Sequence, residues 1–317
     1  MADKEEVLSH FTTLETLFHM FEWGGIPLYD VSRWDDLADR AMVGRGCKRL
    51  GASWYGVMCF MGSDFVLKDG KTVDQCETYA HWKVYSKPLN VDVPSEAIKM
   101  GVRIDFYAAE LKGVVQKCNA DAVLGEIEYA GFSKYLDTVR KSNAKRNPFF
   151  VKRAAYLWEN EFRLLVFDQR LSDVPLAARE TGAKAFVPVK KWSKLIRNIA
   201  YSPLCKTESY PGAASTRQIK YYAKDALRRR MLAVKHWRPE AERQCLHFLE
   251  KGYRSGVLDN QMSLNTTDAA KRNKNERVVG LDQCFSEANE CTVFVRQKRE
   301  KHKSKIIEGK AVKRKGK

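Results

Sequence analysis

Three residues in the stretch "FFVKRAAYLWENEFRLLVF" could do chemistry where a core strand is expected: Glu159, Glu161 and Arg163. The end of this stretch alternates as a strand does, with Phe162, Leu164 and Val166 on one side, because successive strand side chains point to opposite faces. Glu159, Glu161, Arg163 and Leu165 then share the other face, which must look onto water, a partner or a cleft. A carboxylate at the mouth of a strand can grip a sugar hydroxyl or steer a nucleophile. The plainer alternative is an internal ion pair of Glu161 with Arg163 or Lys152.

Two further groups are suited to holding a nucleotide. His10 precedes a helix and opens the run His-Phe-Thr, which ends at Thr12. Such a start can hydrogen-bond a ribose and present backbone donors to it. In "ETYAHWKVYS", Trp82 and Tyr85 stand three apart, so they can meet on one helix face and stack on a flat ring. The alternatives are a histidine without a ligand and an aromatic pair in the core.

Several elements must position these groups. Leu14, Leu17, Phe18 and Phe21 recur at helical spacing. Thr12 or Thr13 can cap that helix, and Gly24 and Gly25 end it. "IPLYDVS", "GASWYGVMCFMG", "AIKMGVRIDFY" and "AVLGEIEYAG" read as strands, with "DQCETYAHWKVYS" as a helix between the second and third. "RNPFFVKRAAYLW" is a helix or an irregular lead into the strand, and "FVPVKKWSKLIRNIAYSP" gives strand, short helix, strand. There is no regular βαβ rhythm and no glycine-rich phosphate loop. The expectation is an α+β domain over residues 1–204, a basic helical region over 205–260, and a polar to strongly basic tail, partly disordered, over 261–317.

The net charge of +17 is uneven: residues 296–317 alone carry +9. Such a balance points to an anionic partner, most simply nucleic acid. The long helix "TRQIKYYAKDALRRRMLAVKHW" offers Lys220, Lys224, Arg228, Arg229, Arg230 and Lys235 for phosphate contacts. The eight cysteines form no C-x-x-C pair and stand near no histidine cluster, so no metal site is expected. No apolar signal region opens the sequence and no apolar run approaches a membrane span. These features point to a cytoplasmic protein without membrane contact.

Taken in order, the segments H-F-T, S-R-W-D-D, V-M-C-F, H-W-K-V-Y-S, E-I-E-Y-A-G, F-F-V-K-R, E-N-E-F-R and L-I-R-N-I-A-Y-S-P resemble a widespread bacterial and phage family known only as a domain of unknown function. The resemblance covers roughly residues 9–204. That family is in turn similar to the ADP-ribosyltransferase fold, in the toxin branch that modifies DNA or RNA. The resemblance implies that His10, with Thr12, holds NAD, that Glu161 is the catalytic carboxylate, and that Glu159 is its partner or activates the acceptor. Trp82 and Tyr85 become candidates for stacking, and Lys152 and Arg163 for cofactor contact. One departure is visible: where related transferases carry a Ser-Thr-Ser motif, this chain reads "CFMGSD", with only Ser63 nearby.

The resulting expectation is an NAD-dependent ADP-ribosyltransferase acting on nucleic acid, as a toxin or antiphage effector, with an antitoxin or chaperone as a possible partner. The alternative is a non-catalytic nucleic-acid-binding protein with a degenerate fold, in which Glu159, Glu161 and Arg163 form an ion-pair network. A metal-dependent nuclease is the weakest reading, since Arg163 stands where such a strand needs lysine.

Overall fold

A computed structural model describes residues 6–255, apart from residue 35 and segments 63–64, 67–71, 74–78, 87–88, 119–120, 132, 136–147, 208–209 and 235–236. Lys235, Ser63 and the tail over 261–317 therefore lie outside the described residues.

The first strand, β1 (Val7–Thr13), runs straight into α1 (Leu14–Trp23). Thr13 makes that junction: its hydroxyl accepts the backbone N–H of Thr16, satisfying a donor the first helical turn leaves free. Gly24 closes the helix at φ 74°, a left-handed conformation that glycine adopts without a Cβ clash. The chain then enters β2 (Gly25–Tyr29). A Cβ on Gly25 would come within 2.5 Å of the Val187 carbonyl oxygen and of the Phe186 ring. Gly25→Ala should therefore lower stability by about 1–3 kcal/mol, the usual cost of overpacking, readable as a drop in thermal unfolding temperature.

The remaining principal elements are α2 (Leu37–Leu50), β3 (Tyr55–Gly62), α3 (Tyr79–Tyr85), β4 (Gly101–Tyr107), α4 (Ala108–Gln116), β5 (Asp121–Glu126), β6 (Glu161–Phe167), β7 (Ala183–Pro188), β8 (Ile196–Tyr201), α5 (Thr216–Ala233), α6 (Pro239–Lys251) and β9 (Tyr253–Arg254). Among the described residues, the nine strands form one sheet, ordered β7–β2–β3–β1–β4–β8–β9, with β6 beside β3 and β5 beyond β6. Its pairings are antiparallel except β8 with β9. The architecture is mixed α and β around a mostly antiparallel sheet.

One feature of this sheet positions the site. Along one edge β3 pairs with β6 from Tyr55 to Met61. Its other edge is shared: β1 takes Met61 and Gly62, while β2 takes Val57. The sheet splits between these two contacts.

The two faces differ sharply. Leu8, Ile104, Phe106, Phe60, Leu164 and Val166 form the floor of a large apolar core. Helices α1, α4, α5 and α6 cover it with Leu17, Leu111, Ile219, Leu227 and Phe248. Both C-terminal helices thus share one core with the strands of residues 1–204. The opposite face carries Ser9, Arg103, Asp105, Glu161 and Arg163, all buried. Helix α2 covers one half of it, packing Val43 and Cys47 on Val57, Leu165 and Phe167. Helix α3 covers the other, where Trp82 packs on Ala200 and Phe11. No helix among the described residues is long and apolar enough to cross a membrane.

The face expected to look onto water or a cleft is instead roofed by these helices. Glu159 also departs from expectation: it ends a short 3₁₀ helix, Ala154–Glu159, and is not on the strand. Asn160 then turns the chain at φ 42°, a left-handed position asparagine tolerates better than most residues, and β6 begins at Glu161.

Candidate functional site

Two ionic clusters lie on the polar face. The larger gathers around Arg163, which is fully buried. Its guanidinium donates to Glu161 at 2.6 Å, to Asp39 at 2.5 Å and to the Phe149 carbonyl at 3.1 Å. The Trp34 ring lies 4.9 Å from the guanidinium carbon, a cation–π contact. The Lys152 ammonium donates to Glu159 at 2.5 Å and Glu161 at 2.9 Å, and stands 3.6 Å from Asp39. Each member comes from a different place. Asp39 sits in the first turn of α2, brought there by the Asp36 cap that accepts the Ala38 and Asp39 backbone N–H groups. Lys152 lies on the short strand Val151–Arg153, and Glu159 on the 3₁₀ turn after it.

Three carboxylates meet two cations here, so the cluster has one negative charge too many. Burial makes that excess expensive, and the cheapest remedy is to hold a proton. Burial acts to raise Glu161, but Arg163 and Lys152 outweigh it and hold this carboxyl well below the usual range. Glu159 goes the other way: burial, reinforced by the Glu161 charge, lifts it to about 7 against the pull of Lys152. Burial also raises Asp39, and its Oδ1 is buried without a hydrogen-bond partner. Two carboxylates with opposite shifts in one buried cluster mark it as the candidate site.

The second cluster lies across the sheet. Arg103 donates twice to Asp105, at 2.8 and 2.9 Å, and once to the Tyr253 hydroxyl at 2.7 Å. Ser9 donates to the same carboxylate at 2.7 Å. Asp105 pairs in register with Ser9, Ser9 with Met61, and Met61 with Glu161. The clusters are therefore three strand spacings apart, about 14 Å. Aromatic rings occupy the ground between. His81 stacks on Phe11 with centroids 5.6 Å apart and meets Trp158 at 5.0 Å.

Open space adjoins the larger cluster. A cavity of about 570 Å³ is lined by Asp36, Leu37, Ala38, Arg153 and Tyr156. The Lys152 ammonium lies 4.8 Å from the Tyr156 ring. Tyr156 and Glu159 are three apart in a 3₁₀ helix, where such side chains eclipse one another. Glu159 itself does not line the cavity; Lys152, which holds its carboxylate, is what links it to the Tyr156 ring on the cavity wall.

Several residues fall elsewhere than the sequence suggests. His10 is cross-strand from Ile104, so it looks toward the large core, on the face opposite Glu161. Its Nδ1 is 2.8 Å from the Cys59 carbonyl, which accepts, so Nδ1 carries the hydrogen. The ring plugs the split between β1 and β2 on the edge of β3. Burial pushes its pKa down to about 4, and a neutral ring suits that role. Thr12 shares its face. Trp82 is fully buried and meets Phe11 edge-on at 5.0 Å, which makes it core and leaves no face for a ligand. Tyr85 lies in α3, with its side chain outside the described residues. Lys152 and Arg163 are both taken up by carboxylates. On α5, Lys220 donates to the Glu250 carbonyl, Lys224 pairs with Glu250, Arg229 with Asp225 and Arg230 with Glu22, while Arg228 is exposed.

Comparison with known protein families, characterised proteins and solved structures finds no match to this chain. The reading of the site rests on its geometry.

Sequence reasoning missed Asp39, Ser9, Arg103, Asp105 and His81. Arg103 and Asp105 had a signal: in "VRIDF" two opposite charges stand two apart between apolar residues, as Glu161 and Arg163 do in "EFRLL". Asp39 had none, since only packing brings α2 over β6.

The fold has a pH signature. Burial holds His10, His19 and His81 down to about 4, from an ordinary value of 6.5. For a group depressed on folding, the stabilisation is complete above the unfolded pKa and is lost as pH falls through the folded one. Glu159 acts oppositely between pH 4.5 and about 7, because its folded form holds the proton more tightly. Three histidines outweigh one glutamate, so stability should fall as pH drops from 6.5 to 4. Urea denaturation across that range checks this. In His81→Phe the slope should shrink by an amount on the order of 3 kcal/mol over the window, each pKa unit being worth about 1.4 kcal/mol.

Proposed function

We propose that the chain is an enzyme cleaving an N-glycosidic bond of a nucleotide, the ADP-ribosyltransferase activity that the resemblance implies, with NAD as substrate and nucleic acid as acceptor. In this reading Glu159 is the carboxyl that meets the substrate, and Glu161 is a fixed anion that sets its proton affinity. The observation that carries the reading is the charge-imbalanced cluster of Asp39, Lys152, Glu159, Glu161 and Arg163 beside the 570 Å³ cavity. The space is an open depression, in which a nucleotide would lie partly exposed to solvent. Cleavage of such a bond develops positive charge on the ribose, and a carboxylate in a desolvated site stabilises it. His10, Thr12 and Trp82 do not reach this cavity, so the NAD contacts assigned to them are withdrawn. The polar groups on its wall are Arg153, Asp36 and Tyr156, already joined by Arg153 donating to the other two at 3.0 and 2.9 Å, and a ribose-bearing ligand would have to bind through these.

One observation favours the non-catalytic alternative. Glu161 is only 4% exposed and is held by both Lys152 and Arg163, as a purely structural anion would be. Incubation with NAD labelled in the adenylate moiety, in the presence of RNA, DNA or protein extract, separates the two. Nicotinamide release with label on one acceptor supports the enzyme and names the acceptor class. Neither release nor transfer by a folded protein leaves the cluster as scaffold.

A further inference from the structure

The cations on α5 do not form the strongest basic surface. Four of its six described basic side chains, all but Arg217 and Arg228, already face a carboxylate or a carbonyl, which weakens the potential they present. A different segment lacks such neighbours. Lys190, Lys191, Lys194 and Arg197 fall within eight residues, and all four are exposed. None has an ion pair with a carboxylate among the described residues.

The fold holds this segment rigid. Trp192 and Leu195 are buried in the large core, and the Trp192 ring packs 4.8 Å from that of Phe21. Val189 donates its backbone N–H to the Gly24 carbonyl at 2.9 Å. With the apolar residues pinned inward, the intervening lysines point out. Arg197 is turned out by a different device. The register of β8 against β4 shifts between Ile196 and Asn198, so Arg197 is the extra residue of a β-bulge, which re-aims a side chain. Its neighbour Asn198 pairs with Asp105 of the second ionic cluster.

We propose that the ledge over residues 190–197 is where nucleic acid docks, through its phosphates. The proposal rests on the reading that the partner is a nucleic acid, which the enzyme and the non-catalytic alternative share. Four exposed cations without an ion pair among the described residues, on a rigid support, match a run of phosphates in charge, and they lose little conformational freedom on binding. The ledge is anchored in the large apolar core, one strand from Asp105 and four strand spacings, about 19 Å, from Glu161, so a strand bound on it would have to extend along the sheet to reach the candidate site. Phosphate contacts of this kind position a strand without reading its bases.

The test is fluorescence anisotropy of the full chain with a labelled single-stranded RNA and a duplex DNA, between about 50 and 200 mM salt, the range over which counterion release is readable. The variant carries Lys190→Gln, Lys191→Gln, Lys194→Gln and Arg197→Gln. The control carries Arg228→Gln and Arg229→Gln. All six side chains are exposed, and circular dichroism confirms the fold; Lys191→Gln with Lys194→Gln serves if the fourfold variant is unstable. The ledge variant should bind at least tenfold more weakly and show a shallower salt slope, by up to about 0.7 per lost contact on a single strand. The control should bind nearly as wild type does. Unchanged binding by the ledge variant overturns the ledge while leaving the nucleic acid reading intact. No binding by wild type overturns both. Equal, ledge-dependent binding to phosphatidylserine vesicles would reassign the surface to a membrane.

Discussion

Arg163→Leu should lower the stability of the chain by about 3–5 kcal/mol, the cost of leaving one partner of a buried ion pair alone. The side chain is fully buried and donates to Glu161, Asp39 and the Phe149 carbonyl. Its removal strands the carbonyl and raises the excess negative charge of the cluster from one to two, with Lys152 alone to answer three carboxylates. Arg163→Lys should cost less, yet it is not conservative: one ammonium cannot span the three acceptors that the planar fork reaches. A charge-balanced control separates ionic balance from packing. Asp39→Leu, Glu161→Leu and Arg163→Met together leave the neutral pair of Lys152 and Glu159. Such a replacement of a buried network by apolar groups is often neutral or stabilising. Urea unfolding measures all three. A loss under about 1 kcal/mol for Arg163→Leu would show that the network contributes little, and the enzyme reading would lose its positioning frame.

The fold was legible wherever local chemistry decides it. Thr13 and Gly24 bound α1 because a hydroxyl cap and a left-handed glycine act within four residues of themselves. The alternation of Phe162, Leu164 and Val166 reads as a core face because strand period is a local property. The site was legible only in part. The pairing of Glu161 with Arg163 and Lys152 could be anticipated, since two of the three share a strand. What α2 and α3 do could not: whether the polar face meets water or a roof depends on helices distant in sequence, and Asp39 enters the site 124 residues away from Arg163. His10 shows the limit of carrying a role over by motif. Its neighbours match a ribose-binding start, but strand parity and the split in the sheet turn its ring toward the Cys59 carbonyl. The same holds for α5, whose cations are numerous in sequence and largely answered in space.

Glu159→Gln should abolish nucleotide turnover while leaving the fold intact. The substitution keeps an oxygen that can accept from Lys152 and removes the surplus charge, so stability at pH 7 should hold or rise. It also removes the carboxyl that burial and Glu161 bring to about 7, and with it the anion that stabilises the developing ribose cation, a loss of about 10²–10³ in rate. Nicotinamide release should fall by that factor, and the limb of the wild-type pH–rate profile near 7 should vanish. Glu161→Gln provides the contrast. Its carboxylate is the one that Arg163 and Lys152 both hold, so the amide, although it leaves the cluster's charges balanced, weakens contacts to both cations at once, and stability should drop along with rate. Loss of rate without loss of stability in Glu159→Gln, against loss of both in Glu161→Gln, assigns contact with substrate to the first and positioning to the second. Full activity in folded Glu159→Gln would remove Glu159 from the reaction.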